Sequence, residues 1–128
     1  MAKIKLTEAE QFIMEVIWSK EKAFMKDILE AYDEPKPAST TLATVLKRMQ
    51  DKDLIAYNTI GNSREYYSLV KKEQYFSSEM QGMLKKFFNN SVSQFASYFT
   101  ANAKLNEKQL RELRDMIDME IEKKQKDG

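Results

Sequence analysis

Pro37-Ala38-Ser39-Thr40-Thr41-Leu42-Ala43-Thr44-Val45-Leu46-Lys47-Arg48-Met49 decides how the rest of this chain is read. At helical spacing the stretch has two faces. Leu42, Val45, Leu46 and Met49 recur at i, i+3, i+4 and i+7 and form an apolar stripe. Thr40, Ala43, Thr44 and Lys47 repeat the spacing on the far side, with Arg48 at its edge. That second face is small, hydroxylated and basic. A helix of this kind can bury one side in a small domain and lay the other in a DNA major groove. Small residues permit close approach, hydroxyls reach bases or phosphates, and cations meet the backbone. Taken alone, the pattern equally describes an ordinary surface helix, because periodicity identifies a helix without naming its ligand.

The segments on either side favour the first reading. Upstream, Thr7-Glu8-Ala9-Glu10 has the form of a capping box. Ala9, Phe12, Ile13, Val16 and Ile17 then follow a helical apolar pattern, and Trp18 ends it at the domain edge. Ser19 to Lys22 reads as a connection, followed by a short helix over about Met25 to Tyr32 with Ile28 and Leu29 inward. Asp33-Glu34-Pro35-Lys36-Pro37 stops that helix, since each proline disfavours helix in the residue before it. Ser39 suits the N-cap of the next. Three helices in this order suit a helix-turn-helix. Downstream, Leu54 to Ile60 and Arg64 to Val70 are rich in β-branched and aromatic residues and flank the turn signal Gly61-Asn62-Ser63. A hairpin directly after the third helix turns a helix-turn-helix into a winged helix. Arg64 lies at the hairpin tip, where contact with phosphate or the minor groove is natural.

From residue 72 the character changes to helix alone. Phe76, Met80, Met83, Leu84 and Phe87 share one face, with Tyr75 and Phe88 beside them. Asn89-Asn90-Ser91 breaks the pattern. Val92, Phe95, Ala96 and Phe99 make a shorter face, and Thr100 to Lys104 reads as a loop. Asn106 with Gln109 resembles a second capping box, opening a helix with Leu110, Leu113, Met116, Ile117 and Ile121 on one side and a terminus that frays after Lys123. These faces are too large for three short helices to cover by themselves. The expected division is therefore a winged-helix domain over 1–71 and a helical dimerisation region over 72–128. The fold class is mainly α with a small β-hairpin. A homodimer would set two recognition helices about one DNA turn, or a multiple of it, apart over a palindrome.

Composition bounds the chemistry. The 128 residues contain no cysteine and no histidine, which removes disulfides, thiolate and Ser-His catalysis, and His- or Cys-based zinc sites. The acidic residues lie beside Lys and Arg on polar helix faces, and no catalytic constellation assembles, so neither an enzyme nor a cofactor is expected. The start, Met1 to Leu6, lacks the apolar core of a signal peptide, and no stretch is long and apolar enough for a membrane span; cytoplasmic residence is the default expectation. Net charge is +1, and residues 1–71 carry 11 Lys+Arg against 11 Asp+Glu, so a DNA surface must come from local clustering. That balance keeps a rival open, a winged helix that binds protein rather than DNA.

Several stretches together resemble the penicillinase repressor (BlaI/MecI) family of bacterial winged-helix repressors. Leu6 to Glu10 with Val16-Ile17-Trp18 resembles its first helix, Thr41 to Met49 its recognition helix, and Leu54-Ile55 with Arg64-x-x-Tyr67-Ser68-Leu69 its wing. Leu105 to Ile117 resembles its C-terminal helix. The resemblance implies a dimer on inverted-repeat operators, often of antibiotic-resistance genes. It also implies release when a membrane sensor with a metalloprotease domain leads to cleavage in the C-terminal region. DNA contact is expected from Ser39, Thr40, Thr41, Thr44, Lys47 and Arg48 on the recognition helix and from Arg64 in the wing. Thr41 and Thr44 suit base edges; the cations suit phosphates. Three departures from the family pattern stand out. Tyr98-Phe99 lies where well-studied members have an Asn-Phe cleavage bond. The C-terminal cysteine pairs of the copper-responsive branch are missing, which excludes copper sensing. Ala43 stands where the resistance repressors carry a longer polar residue.

Overall fold

The computed structural model describes residues 4–128; Met1 to Lys3 of the N-terminal stretch lie outside the described residues. Two compact units divide the chain, one running to Glu79 and the other from Met80 to Gly128. In order, the elements are α1 (Glu8–Lys20), β1 (Lys22–Phe24), α2 (Met25–Glu30), α3 (Ser39–Asp51), β2 (Ile55–Ile60), β3 (Ser63–Ser68), α4 (Lys72–Phe88), α5 (Val92–Asn102) and α6 (Glu107–Asp127). The first six make the winged helix. α4 runs across the boundary between the units.

The capping box forms as the sequence suggests. Thr7 Oγ1 accepts from the Glu10 N–H at 3.2 Å, and Glu10 Oε1 accepts from the Thr7 N–H at 3.0 Å. The inward face of α1 differs from the expected one, because Ala9 is exposed while Glu10 and Met14 are buried with Ile13 and Ile17. Burying Glu10 depends on a partner 42 residues away. Its Oε2 accepts from Lys52 Nζ at 2.8 Å, and Lys52 is the residue that closes α3. This pair ties the beginning of α1 to the end of α3 and sets a cation at the negative end of the α3 dipole.

α3 then ends by a Schellman arrangement. Asp53 adopts a left-handed φ of 59°, its N–H donates to the Gln50 carbonyl at 3.0 Å, and the Leu54 N–H donates to the Met49 carbonyl at 3.0 Å. Leu54 and Met49 are both buried in the same core, which is the apolar contact that usually accompanies this motif. The sharp reversal delivers the chain directly into β2. Ser39 is the first residue of α3 and not its cap; Ala38 occupies the N-cap position, and no side chain caps it. The stop before it also comes earlier than expected. α2 ends at Glu30, with Ala31 and Tyr32 bonding back three residues, and Lys36 Nζ donates to the Leu29 carbonyl at 3.2 Å.

The sheet has three strands in the order β1-β3-β2, all antiparallel. β1, which the sequence reads as the end of a connection and the lead-in to α2, pairs Ala23 with Tyr66 and Phe24 with Glu65. It is too short to show a period of two, and it exists because β3 offers it an edge. The wing β2–β3 runs from the pair Ile55–Ser68 to Ile60–Ser63 around Gly61, whose φ of 64° requires glycine's freedom. Ile13, Ile17, Ile28, Leu42, Leu46 and Ile55 form the centre of the core. At the far end Trp18 donates its indole N–H to the Val70 carbonyl at 2.8 Å, and its ring lies 5.8 Å from that of Tyr75. The Tyr75 hydroxyl donates to Gln11 Oε1 at 3.1 Å, so the first turn of α4 is fastened to α1.

The second unit is built differently. None of the residues of α4, α5 or α6 is buried. Asn89 and Asn90 both take left-handed φ values, 52° and 60°, to turn the chain, and Ser91 caps α5 by accepting from the Gln94 N–H at 3.1 Å. An aromatic group of Phe88, Phe95, Tyr98 and Phe99 holds the corner. One expectation changes here. α5 extends to Asn102, so most of the expected loop is helical; α6 runs to Asp127. Side-chain bonds within the turn, Thr100 Oγ1 to the Ala96 carbonyl and Asn102 Nδ2 to the Tyr98 carbonyl, both 2.8 Å, sustain the extra residues of α5. The second capping box, Asn106 with Gln109, forms.

Burial pushes the Glu10 carboxyl upward, but the Lys52 ammonium and the Thr7 hydrogen bonds outweigh it and hold the group below its ordinary value. A carboxyl depressed in the folded state stabilises the fold above its unfolded pKa, and this contribution is lost as pH falls through the folded one. Glu10→Gln is expected to lower unfolding stability by about 1–3 kcal/mol at neutral pH, the usual cost of removing one partner from a buried polar contact. In urea titrations the gap to the parent chain narrows as the pH drops below the carboxylate range; a gap independent of pH would show that the charge of Glu10 contributes nothing.

Candidate nucleic-acid interface

α3 presents the two faces that its spacing predicts. Leu42, Leu46 and Met49 are buried, Val45 is half-buried, and Ser39, Thr40, Thr41, Thr44, Lys47 and Arg48 are exposed together. The exposed arc is not uniform. Thr44 Oγ1 donates to the Thr40 carbonyl at 3.0 Å, which uses its proton and leaves lone pairs to accept from a ligand. Lys47 Nζ lies 3.0 Å from Asp51 Oδ1, with both side chains largely in solvent. A pair so exposed is weak, so a phosphate can replace the carboxylate. Arg48 takes part in no ion pair among the described residues.

Arg64 reaches the same side of the domain from β3, opposite Thr59 in the wing. Its guanidinium carbon sits 4.3 Å from the centre of the Tyr57 ring, and Tyr57 meets Tyr66 edge-on at 5.7 Å between ring centres. Tyr66 is buried. The arginine thus stands on a stack anchored in the core, which restricts its side-chain freedom.

Between α3, the wing tip and the start of α2 lies a groove of about 410 Å³. Lys47 and Arg64 line it; Ser39, Thr40, Thr41, Thr44 and Arg48 are not among its lining residues. Sequence reading missed two further polar side chains in the lining, Lys26 and Gln50. Gln50 lies at the end of the face that Ala43 and Lys47 begin, at i+7 from Ala43, and helical spacing could have found it. Lys26 is the second residue of α2, two positions past the end of β1, and with β1 unrecognised nothing marked where that lysine would lie. Among the described residues no cluster of carboxylates could hold a metal ion.

In the second unit, α4 leaves Met83 and Phe87 exposed, Phe87 by 67%, while Met80 and Leu84 are half-buried; Phe76, earlier in the same helix, is exposed. Phe95 is half-buried against Phe88 and Phe99. On α6, Leu110 and Ile117 are exposed and Leu113 is half-buried. The Tyr98–Phe99 peptide falls inside α5, with Tyr98 60% exposed. No helix is long and apolar enough to cross a membrane among the described residues.

Residues 6–119 match the sequence profile of the penicillinase repressor family. A penicillinase repressor of Staphylococcus aureus is 26% identical over 122 residues, covering 94% of this chain and 96% of that protein. The methicillin resistance regulatory protein MecI of Staphylococcus epidermidis is 24% identical over 114 residues, covering 88% of this chain and 93% of its own, and that of Mammaliicoccus sciuri is 23% identical over the same length. With the match spanning both the winged helix and the helices that follow it, this chain belongs to the penicillinase repressor family.

Proposed function

We propose that the chain is a homodimeric transcriptional repressor that binds an inverted-repeat operator through α3 and the wing and is released by proteolysis of its helical region after a signal from a membrane sensor. The family is one of repressors and not of enzymes, in keeping with the lack of a catalytic constellation in the sequence. The observation that carries the DNA reading is the exposed hydroxyl-and-cation face of α3 beside a wing whose arginine is held on Tyr57. Thr41 and Thr44 serve base edges, Ser39 and Thr40 support the N-terminal end of the face, and Lys47, Arg48 and Arg64 serve phosphates. Local sorting answers the neutral balance of residues 1–71, which otherwise favours a protein-binding winged helix.

Support for the dimer comes from α4, α5 and α6, which bury no residue within one chain. A second copy covering Phe76, Met80, Met83, Leu84 and Phe87, together with Phe95, Phe99, Leu110, Leu113 and Ile117, would complete a core that one chain leaves open. Two linked half-sites then bind far more tightly than one, and loss of the dimer loses that gain. Proteolysis at Tyr98–Phe99 fits this logic with one added step. The bond lies in helical backbone, so α5 must open locally before a protease can engage it.

Two measurements test the parts separately. Arg48→Ala is expected to weaken binding to a duplex from the chain's own upstream region and to unrelated duplexes alike. It should also flatten the dependence of log affinity on log salt by about one for each phosphate that the arginine neutralises. An unchanged slope in fluorescence anisotropy removes Arg48 from the interface, and the absence of any salt-sensitive, sequence-dependent shift by the parent chain supports the protein-binding rival. Light scattering should give twice the 15.0 kDa chain mass for the parent and the single mass for Phe87→Asp, a change at an exposed position that leaves the monomer's own packing intact. A parent of 15.0 kDa at micromolar concentration would rule out the dimer.

A further inference from the structure

The groove between α3 and the wing has a chemistry of its own. Phe24, Met25, Ala43 and Tyr66 supply its carbon-rich lining, beside the neutral polar Gln50, Asn62 and Ser63. Lys26, Lys47 and Arg64 bring three cations to it from three different elements, and no carboxylate is among the lining residues. In a chain with 21 basic and 20 acidic residues, three cations gather at one groove, and of these only Lys47 is held by a carboxylate among the described residues, that of Asp51 at 3.0 Å.

We infer that this groove seats one sugar-phosphate strand of the operator, and that Lys26 is a phosphate-binding residue of the interface. The inference depends on the DNA-binding reading above and extends it to a site outside the recognition helix. Geometry supplies the reason. With α3 in the major groove and the hairpin tip at the adjacent minor groove, a single backbone strand separates the two grooves, and it must pass between α3 and the wing. A deoxyribose is largely apolar at its carbon face and a phosphate is anionic, which matches a lining of Phe24, Met25 and Ala43 together with three cations. Ala43 acquires a role here, since its small side chain permits a close approach of the sugar. Lys47 turns from Asp51 to the phosphate, exchanging one exposed partner for another. Arg64 comes to the strand from the opposite wall, already held on Tyr57.

The test uses the full-length chain and a fluorescein-labelled duplex of its own upstream region, read by anisotropy over a range of salt. Lys26 is exposed, so Lys26→Ala should leave the thermal midpoint where it was. It should raise Kd several-fold and flatten the salt slope by about one per protomer, and Lys26→Arg should restore the slope. Lys20→Ala, an exposed lysine in the last turn of α1 that does not line the groove, serves as the charge control and should leave the slope unchanged. Phosphate-ethylation interference on the same duplex should show a backbone position in each half-site that blocks the parent chain and no longer matters for Lys26→Ala. If the parent chain binds with salt sensitivity but Lys26→Ala keeps its slope and its ethylation pattern, the groove does not hold the strand, while the repressor reading stands. An equal flattening of the slope by Lys20→Ala and Lys26→Ala would likewise overturn the site, showing only diffuse attraction. If the parent chain shows no salt-sensitive binding at all, the DNA-binding reading itself fails.

Discussion

Everything in the winged helix follows from how one side of α3 is buried. Leu42, Leu46 and Met49 are withdrawn from water against a core built by Ile13 and Ile17 of α1, Ile28 of α2 and Ile55 of β2. Each such side chain gains about 1.5–3 kcal/mol by leaving water, and that gain fixes the rotation of the helix about its axis. Rotation decides which residues remain outside. A turn of one position would bury Thr41 or Ala43 and expose a leucine. The face available to a ligand is therefore set by the packing of the face opposite it. The Glu10–Lys52 pair and the Schellman end of α3 then fix its position along the axis, one by holding its last turn to α1 and the other by passing the chain to β2 without slack.

Much of this can be read in the sequence because it is written in periods. The apolar repeat in α3, the Thr7–Glu10 and Asn106–Gln109 boxes, and the turn at Gly61 are all local signals and form as expected, while β3 begins at Ser63, inside the expected turn, and ends at Ser68, before Leu69 and Val70. What is not legible depends on partners far away in the chain. β1 has three residues and is a strand only because β3 pairs with it. Glu10 reads as a capping residue, and nothing near it in sequence reveals Lys52. The end of α5 escapes a sequence reading because Thr100 and Asn102 look like loop residues, yet their side chains bond back to the preceding turn and prolong the helix. The candidate interface divides in the same way. Its α3 part follows from helical spacing, whereas the place of Lys26 beside the groove depends on the path of β1 and could not be inferred without it.

The two units solve the burial problem differently. The first closes on itself with a core of isoleucine, leucine and methionine and one buried carboxylate that is fully partnered. The second keeps Phe87, Met116, Met119 and Ile121 at least half exposed and holds together mainly through one aromatic corner. With so little internal packing, the second unit offers less resistance to local opening than the first.

Trp18 is the only tryptophan in the chain. It sits where β3 has ended and α4 begins, bonded to the Val70 carbonyl and beside the Tyr75 ring. Indole emission shifts with the polarity around the ring and with the loss of a hydrogen bond. The protein therefore carries a built-in optical reporter of the junction between its winged helix and the first turn of its long helix. Without any added label, a change in that emission would register whether the turn stays fastened when conditions or ligands change.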